Sequence, residues 1–370
     1  MGIIIRKTVA ESAAEIKTAV DSDPDNDLVF VTRKISVDSV VSTGSTLLDL
    51  AISGKRRRGG GVPGGILMEI FGRSQSGKTA VMAEILASVQ SHGGETDVED
   101  PEGRLDEEYN RVYGVTMGTN YSYSRPDTVE QIMANASAWK PKNPNVINAR
   151  GTDSLAALTT DLEMGPQGDK MGMRRGKEFS AGFRKTARKI ANNKWLWICT
   201  NQVRQGDYGE TTPGGMATGF YASIRIRLQQ VDKITKTLKF KSGGEVEEVE
   251  EPSDKKDKKD KKGGVEVSKV IGIESEATVI KSIDDPYRTA PLYIIFGVGI
   301  DDIRGNLQYI KDMTNSTTYK CPDDKSYNIL NMTIQYIEKH NLEDDLKEQT
   351  IDLWEEIESK FNQNRKPKKR

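Results

Sequence analysis

Gly72-Arg73-Ser74-Gln75-Ser76-Gly77-Lys78-Thr79 follows the apolar run Ile66-Leu67-Met68-Glu69-Ile70-Phe71. Behind it Val81, Met82, Ile85, Leu86 and Val89 recur at helical spacing. Strand, glycine-rich turn and helix in that order make a positive cradle. Successive backbone N–H groups and the helix N-terminus converge where phosphate oxygens can be held. The full pattern G-x-x-x-x-G-K-[ST] adds a cation, Lys78, to reach β- and γ-phosphates, and a hydroxyl, Thr79, to ligate Mg²⁺. Gly72, Arg73, Ser74, Gln75, Ser76, Gly77, Lys78 and Thr79 are therefore candidate nucleotide contacts. A chance glycine-rich turn would not bring both flanking elements with it.

Outward from this stretch, apolar strands and helical runs alternate to about residue 300, which predicts an α/β sheet. Trp195-Leu196-Trp197-Ile198-Cys199 reads as a buried central strand, and Ser223-Ile224-Arg225-Ile226-Arg227-Leu228 alternates as a half-exposed one. Lys55-Arg56-Arg57-Arg58 with Gly59-Gly60-Gly61 reads as a basic, flexible loop. Residues 242–264 carry glycine pairs, an acidic block and a run of Asp and Lys, and predict a disordered, solvated insertion between two strands. Upstream, Val9, Ala13, Ile16 and Val20 share a helical face, so residues 1–40 form a helix or arm that contacts a neighbouring subunit or acts as a lid. Downstream, Tyr327, Leu330, Ile334 and Ile337 share one face and Leu346, Leu353, Trp354, Ile357 and Phe361 another. They predict a small helical C-terminal domain over 301–370 with the basic tail Arg365–Arg370.

The chain of 370 residues is 35% hydrophobic and 29% charged, with a net charge of −1, so any nucleic-acid contact has to come from local patches. Two cysteines, Cys199 and Cys321, and two histidines, His92 and His340, form no zinc constellation and suit a reducing, cytoplasmic setting. No stretch has the length and apolarity of a membrane span.

A phosphate loop alone does not choose among kinases, GTPases, transporters and motors. The acidic cluster Asp100-Pro101-Glu102-Gly103-Arg104-Leu105-Asp106-Glu107-Glu108-Tyr109 lies where the next strand should end, and a carboxylate there can deprotonate a water attacking the γ-phosphate. Asp153-Ser154 closes the segment Val146–Thr152 ahead of the helix start Leu155-Ala156-Ala157-Leu158, so Asp153 is placed to hold Mg²⁺ through water. No N-K-x-D guanine-reading motif is present, which favours ATP over GTP.

Taken together, the chain resembles the RecA-type homologous recombinases, bacterial and phage. The landmarks are Ser42-Thr43-Gly44-Ser45, the phosphate loop, Glu102-Gly103-Arg104-Leu105-Asp106, Pro126-Asp127-Thr128-Val129-Glu130-Gln131, Asp153-Ser154-Leu155-Ala156-Ala157-Leu158, Thr200-Asn201-Gln202-Val203-Arg204, Thr211-Thr212-Pro213-Gly214-Gly215 and Phe220-Tyr221-Ala222-Ser223. The resemblance implies a RecA-like ATPase core over 41–300, a mostly parallel twisted sheet flanked by helices. It makes Glu102 the catalytic glutamate, sets Asp106 and Tyr109 against the adenine, and makes Gln202 the sensor of the γ-phosphate. The first DNA-binding loop would be Glu163–Met171 and the second Val203–Gly215. Met171 and Tyr208 would stack on bases, Ser180, Arg184 and Arg204 would hold phosphates, and Gly214 and Gly215 would belong to the second loop. The implied activity is DNA-stimulated ATP hydrolysis by a filament on single-stranded DNA that pairs with homologous duplex DNA and exchanges strands.

Three departures stand out. Val146–Thr152 and Thr96–Glu99 are polar where the family has apolar strands, and a buried Arg150 is expected to pair with Asp97 or Glu99. The second DNA loop is short. Of the lysines that reach the neighbour's γ-phosphate, only Lys281 is present, with Arg288 nearby. Two other readings stay open: a hexameric helicase or repair motor, to which the lack of a zinc, primase-binding or protease-like module is unfavourable, and a nucleotide-binding structural protein that has lost its chemistry.

Overall fold

A computed structural model describes residues 39–161, 172–206, 209–213, 216–240, 246–249 and 265–361. All lie within one unit, Ile35–Arg370. Among the described residues its frame is a 10-stranded sheet, nine strands on one path and a tenth, Val246–Val249, beside Ile224–Phe240. From one edge the order is Gly299–Ile300, Arg288–Ile295, Val265–Lys281, Ile224–Phe240, Ile66–Gly72, Trp195–Gln202, Asn148–Thr152, Thr96–Glu99 and Tyr121–Ser124. Neighbours from Ile224–Phe240 to Tyr121–Ser124 run parallel, and the pairs on the other side are antiparallel.

Alternation along the central strands sets which residues meet which helices, because successive side chains leave a strand on opposite faces. Ile66, Met68, Ile70, Leu196 and Ile198 pack with Val81, Met82, Ile85, Leu86 and Val89 of the helix Lys78–Ser91 and with the helix Thr46–Ser53. Leu67, Trp195, Trp197 and Cys199 face the other way, onto Ile132 of the helix Val129–Ala138 and Phe179 and Phe183 of the helix Gly172–Asn192. The central strands are thus covered on both faces, which is why they read as unbroken apolar runs.

The polar strands belong to this sheet undistorted. Arg150, with no exposure, pairs with both expected partners, Asp97 and Glu99, each at 2.8 Å. Asp97 is its cross-strand neighbour, and Glu99, two residues on, shares the same face. The guanidinium also lies over Trp139 at 5.6 Å and Trp197 at 5.1 Å. Burial raises the Glu99 carboxyl, and Arg150 works against that rise. Thr152 and Asn135 donate to Glu99 at 3.0 and 3.1 Å, so the buried acid has its partners.

Several sequence expectations change. Leu155-Ala156-Ala157-Leu158 starts no long helix; it makes one 3-10 turn over Leu155–Ala157. The strands Ile224–Phe240 and Val265–Lys281 form a far longer hairpin than the alternating run implied, and Val246–Val249, inside the segment read as disordered, pairs with Thr237–Phe240. Valines at both ends of that acidic block supply a strand pattern that its charge concealed. The Lys55–Arg58 loop is held in place: Arg58 pairs with Glu348, Asp352 and Glu355 of the helix Glu343–Lys360, at 2.7 to 2.9 Å, and Arg56 with Asp284 at 2.7 Å. Its carboxylate partners are hundreds of residues away, beyond local reading.

After Asp301 come the helices Asp302–Met313, Leu330–His340 and Glu343–Lys360. Between the first two sits a small hairpin, Tyr319–Lys320 with Ser326–Tyr327, so Tyr327 lies on a strand and not on the helical face assigned to it. Leu307, Ile310, Ile337 and Leu346 form the core there, while Ile351 and Trp354 pack on Leu50. Phe361 caps the last helix and is exposed. The N-terminal arm, the Asp–Lys run and the basic tail lie outside the described residues.

Candidate functional site

The strand Ile66–Gly72 delivers the phosphate loop to the C-terminal edge of the parallel sheet, where α/β proteins place ligands. Glycine is required at both ends of the loop. A Cβ on Gly72 would stand 2.1 Å from the Leu228 carbonyl oxygen, and Gly77, at φ 88°, caps the helix Lys78–Ser91 in the left-handed region. Ser76 Oγ donates to the Arg73 carbonyl at 2.9 Å. Lys78 Nζ donates to the carbonyls of Arg73 at 2.7 Å and Gly72 at 3.2 Å, so the ammonium lies within the loop's curve. Burial lowers its pKa, and Asp153 and Glu102 oppose that.

Beside Lys78, Thr79 Oγ1 donates to Asp153 Oδ2 at 2.6 Å, and Thr200 donates to Asp153 Oδ1. Burial raises the Asp153 carboxyl; these hydroxyls counter the rise, and Glu102 and Asp100 add to it. Glu102 sits across from them, accepting from Ser154 Oγ at 2.5 Å and paired with Arg104 at 2.9 Å. Asp100 does different work: it accepts from the backbone N–H groups of Gly103 and Leu105 at 2.7 and 2.8 Å and shapes the turn that presents Glu102. Gln202, the last residue of its strand, is the register partner of Gly72 and lines the same cleft.

That cleft has a volume of about 580 Å³. Its apolar side is made by Tyr109 and Tyr113, with ring centroids 4.9 Å apart, and by Ile273, Ile294 and Phe296. Burial pushes the Tyr109 hydroxyl up. Sequence reasoning missed the last four of these residues. Tyr113 could have been found, since it lies one helical turn after Tyr109. Ile273 and Ile294 arrive on strands beyond the charged insertion and Phe296 in the turn after the second of them, and nothing local points at the nucleotide.

Other assigned residues stand elsewhere. Asp106 is the N-cap of the helix Glu107–Val112, accepting from Tyr109 N at 2.7 Å, and is exposed. Lys281 donates to the carbonyls of Gly219 and Phe220 at 3.2 and 3.1 Å, outside the cleft. Burial and Arg225 lower its pKa. Ser180 and Arg184 lie four residues apart on the helix Gly172–Asn192, with Arg184 exposed. Arg204 begins a short strand, Arg204–Gly206, paired with Gly209–Thr211, so the second loop is built as a hairpin. Met171, Tyr208, Gly214, Gly215 and the whole Glu163–Met171 loop lie outside the described residues.

Strand, phosphate loop and helix, with Asp153 on the loop threonine and Glu102 facing them, define a phosphate-loop nucleotide-binding core of RecA-like architecture. The RecA N-terminal domain family matches residues 27–250, and the chain belongs to the RecA family. Protein RecA of Clostridium acetobutylicum is 37% identical over 206 residues, covering 54% of this chain and 56% of that protein. Protein RecA of Ruminococcus albus is 31% identical over 278 residues, 73% of this chain and 60% of its own length. Protein RecA of Staphylococcus aureus is 32% identical over 269 residues, 71% and 67%. The chain therefore spans little more than half to two thirds of these relatives. Among the described residues no helix is long and apolar enough to cross a membrane.

Proposed function

We propose that this protein is an ATP-dependent recombinase that forms filaments on single-stranded DNA, pairs it with homologous duplex and exchanges strands, hydrolysing ATP for turnover. The observation that carries the reading is the place of Gln202. It ends the strand beside Gly72, lines the nucleotide cleft, and begins the segment that leads into the second loop within two residues. One side chain can therefore answer to both ligands.

Lys78 would exchange its loop carbonyls for the β- and γ-phosphates. Thr79 and Asp153, two hard oxygen donors 2.6 Å apart, suit Mg²⁺, which keeps several waters and binds through one or two protein oxygens and phosphates. When bound, the ion would neutralise charge on the phosphate oxygens. Glu102 would take the proton of the attacking water at its carboxylate, with Ser154 and Arg104 fixing its direction. The base would lie against Tyr109 and Tyr113. Lys281, which lies outside this subunit's own cleft, would reach the neighbour's γ-phosphate, residues 1–40 would dock on that neighbour, and 301–370 would form the C-terminal domain. Ser180, Arg184, Arg204 and the two loops would hold the strand, phosphates first and bases by stacking.

Electron microscopy of the protein with ATP and single-stranded DNA tests this: helical filaments and strand exchange are expected, and closed rings would mean a motor. Gln202→Ala should bind ATP normally but lose most of the ATP-induced gain in single-strand affinity and of the DNA stimulation of hydrolysis, a coupling typically worth ~1–3 kcal/mol. Undiminished stimulation would remove Gln202 as the switch.

A further inference from the structure

Glu69 is a fully buried carboxylate halfway along the strand that leads to the phosphate loop, and ATP hydrolysis as described has no use for it. Both its oxygens are engaged. Arg225 Nε donates to Oε2 at 2.7 Å, and Asn201 Nδ2 donates to Oε1 at 3.0 Å. Asn201, itself buried, commits its amide further. Nδ2 also donates to the carbonyl of Pro213 at 3.0 Å, and Oδ1 accepts from the backbone N–H of Gln202 at 3.0 Å. Only one amide orientation satisfies all three partners: turned over, its oxygen would face the Glu69 carboxylate and the Pro213 carbonyl.

Gln202 immediately precedes the second loop, and Pro213 lies near the loop's far end. The chain leaves the sheet at the first and, after the hairpin Arg204–Gly206 with Gly209–Thr211, comes back against the sheet's edge at the second, where the Pro213 carbonyl meets Asn201. We infer that Asn201 is a positioning residue that closes the base of this loop, tying its exit at Gln202 and its return at Pro213 to a buried carboxylate on the phosphate-loop strand. The inference rests on the recombinase reading for its purpose, not for its geometry. A shift of Gln202 toward or away from a γ-phosphate then moves the returning end of the loop as well, because the same amide holds both. Neither end could order on DNA independently of the nucleotide.

Asn201→Asp tests this with almost no change of shape. It keeps an acceptor for Gln202 N–H, loses both donors, and sets a second carboxylate against Glu69. Glu69→Gln combined with Asn201→Asp puts the donor on residue 69 and the acceptor on 201. The link between the strands and the net charge are then restored, but no donor is left for Pro213. Hydrogen exchange of the amides of residues 209–212 is read on the full chain without DNA, with residues 66–72 as reference, and ATP-dependent binding of a fluorescent oligothymidylate is read alongside. Asn201→Asp should speed exchange at 209–212 and cut the ATP-induced gain in affinity by about tenfold, within the usual range of such couplings. The double variant should recover melting temperature and protection at 66–72 but neither loop measure.

If the double variant recovers loop protection and coupling together with stability, Asn201 serves the fold alone and the inference is wrong. Wild-type exchange at 209–212 in Asn201→Asp overturns it as well. Should the aspartate variant not fold, Asn201→Ala, which adds no charge, is read by exchange alone: faster exchange at 209–212 with wild-type protection at 66–72 supports the clamp, and wild-type exchange at 209–212 overturns it. Absence of any ATP effect on DNA affinity in the wild type would overturn the recombinase reading, while the exchange data would still decide the clamp.

Discussion

Glu102 and Arg150 show how a single residue's neighbours decide what its loss would do. Glu102 touches Ser154 and Arg104 at the cleft wall, outside the cradle itself, so Glu102→Gln should leave phosphate binding intact. Turnover should fall by ~10²-fold or more, the usual contribution of a positioned general base, while ATP and DNA still bind. Equal turnover in single-turnover assays would move the base elsewhere, Asp100 being committed to the backbone of its turn. Arg150→Met is the opposite kind of change. It leaves Asp97 and Glu99 facing each other inside the sheet without their cation, at a cost of about 3–5 kcal/mol. Urea denaturation should show a much lower midpoint at similar slope. An unchanged midpoint would mean that the triad contributes nothing net. The pairing was legible because an arginine in a strand demands a carboxylate, and only Asp97 and Glu99 lay on a neighbouring strand. The capping role of Asp106 was not named from the sequence: it accepts from Tyr109 N at the start of the helix Glu107–Val112.

At the scale of elements, what the sequence disclosed was what chain-local pattern dictates. Ile66–Thr79 shows its strand, turn and helix because each is coded within a few residues. The buried strand Trp195–Gln202 is legible for the same reason. The apolar wall of the cleft is not, because Ile273 and Ile294 reach the cleft through sheet pairing across an insertion of low apolar content. That insertion also shows the limit of composition: its valines pair with the hairpin, while the Asp–Lys run lies outside the described residues. Deleting residues 251–262 and leaving Val246–Val249 in place should change neither melting temperature nor basal ATPase appreciably, since a segment of Asp and Lys has almost nothing to bury. A fall of more than a few degrees would show that the run is part of the fold.

Across the whole molecule, buried and half-buried carboxylates on the helix Thr46–Ser53, the helix Lys78–Ser91 and the start of the helix Asp302–Met313 set an unusual pH response. Burial pushes Asp49 up to about 6 and Glu84 up to about 7, and raises Asp302 despite hydrogen bonds from Thr46 and Asn306. A folded-state pKa above the unfolded one means that the native protein holds protons the unfolded chain gives up. Stability from these groups is therefore complete below about pH 4 and is lost as pH rises through 6 and 7. The surface acids Asp285 and Asp323, lowered by hydrogen bonds to Lys55 and Tyr336, act in the reverse sense and only at lower pH, so the two trends separate. Glu84 is the group to change. It accepts from Ile300 N at 3.1 Å, and the nearby Asp302 adds to its rise. Gln at this position keeps that acceptor and removes the ionisation. At pH 8, Glu84→Gln should be more stable than the parent by about 1–3 kcal/mol, a few degrees in Tm, and at pH 5 the difference should vanish or reverse. The check is a pair of thermal or urea transitions at those two pH values. A gain of the same size at both would show that Glu84 is not titrating in this window, and that its burial is relieved by a route the packing around Ile300 does not contain.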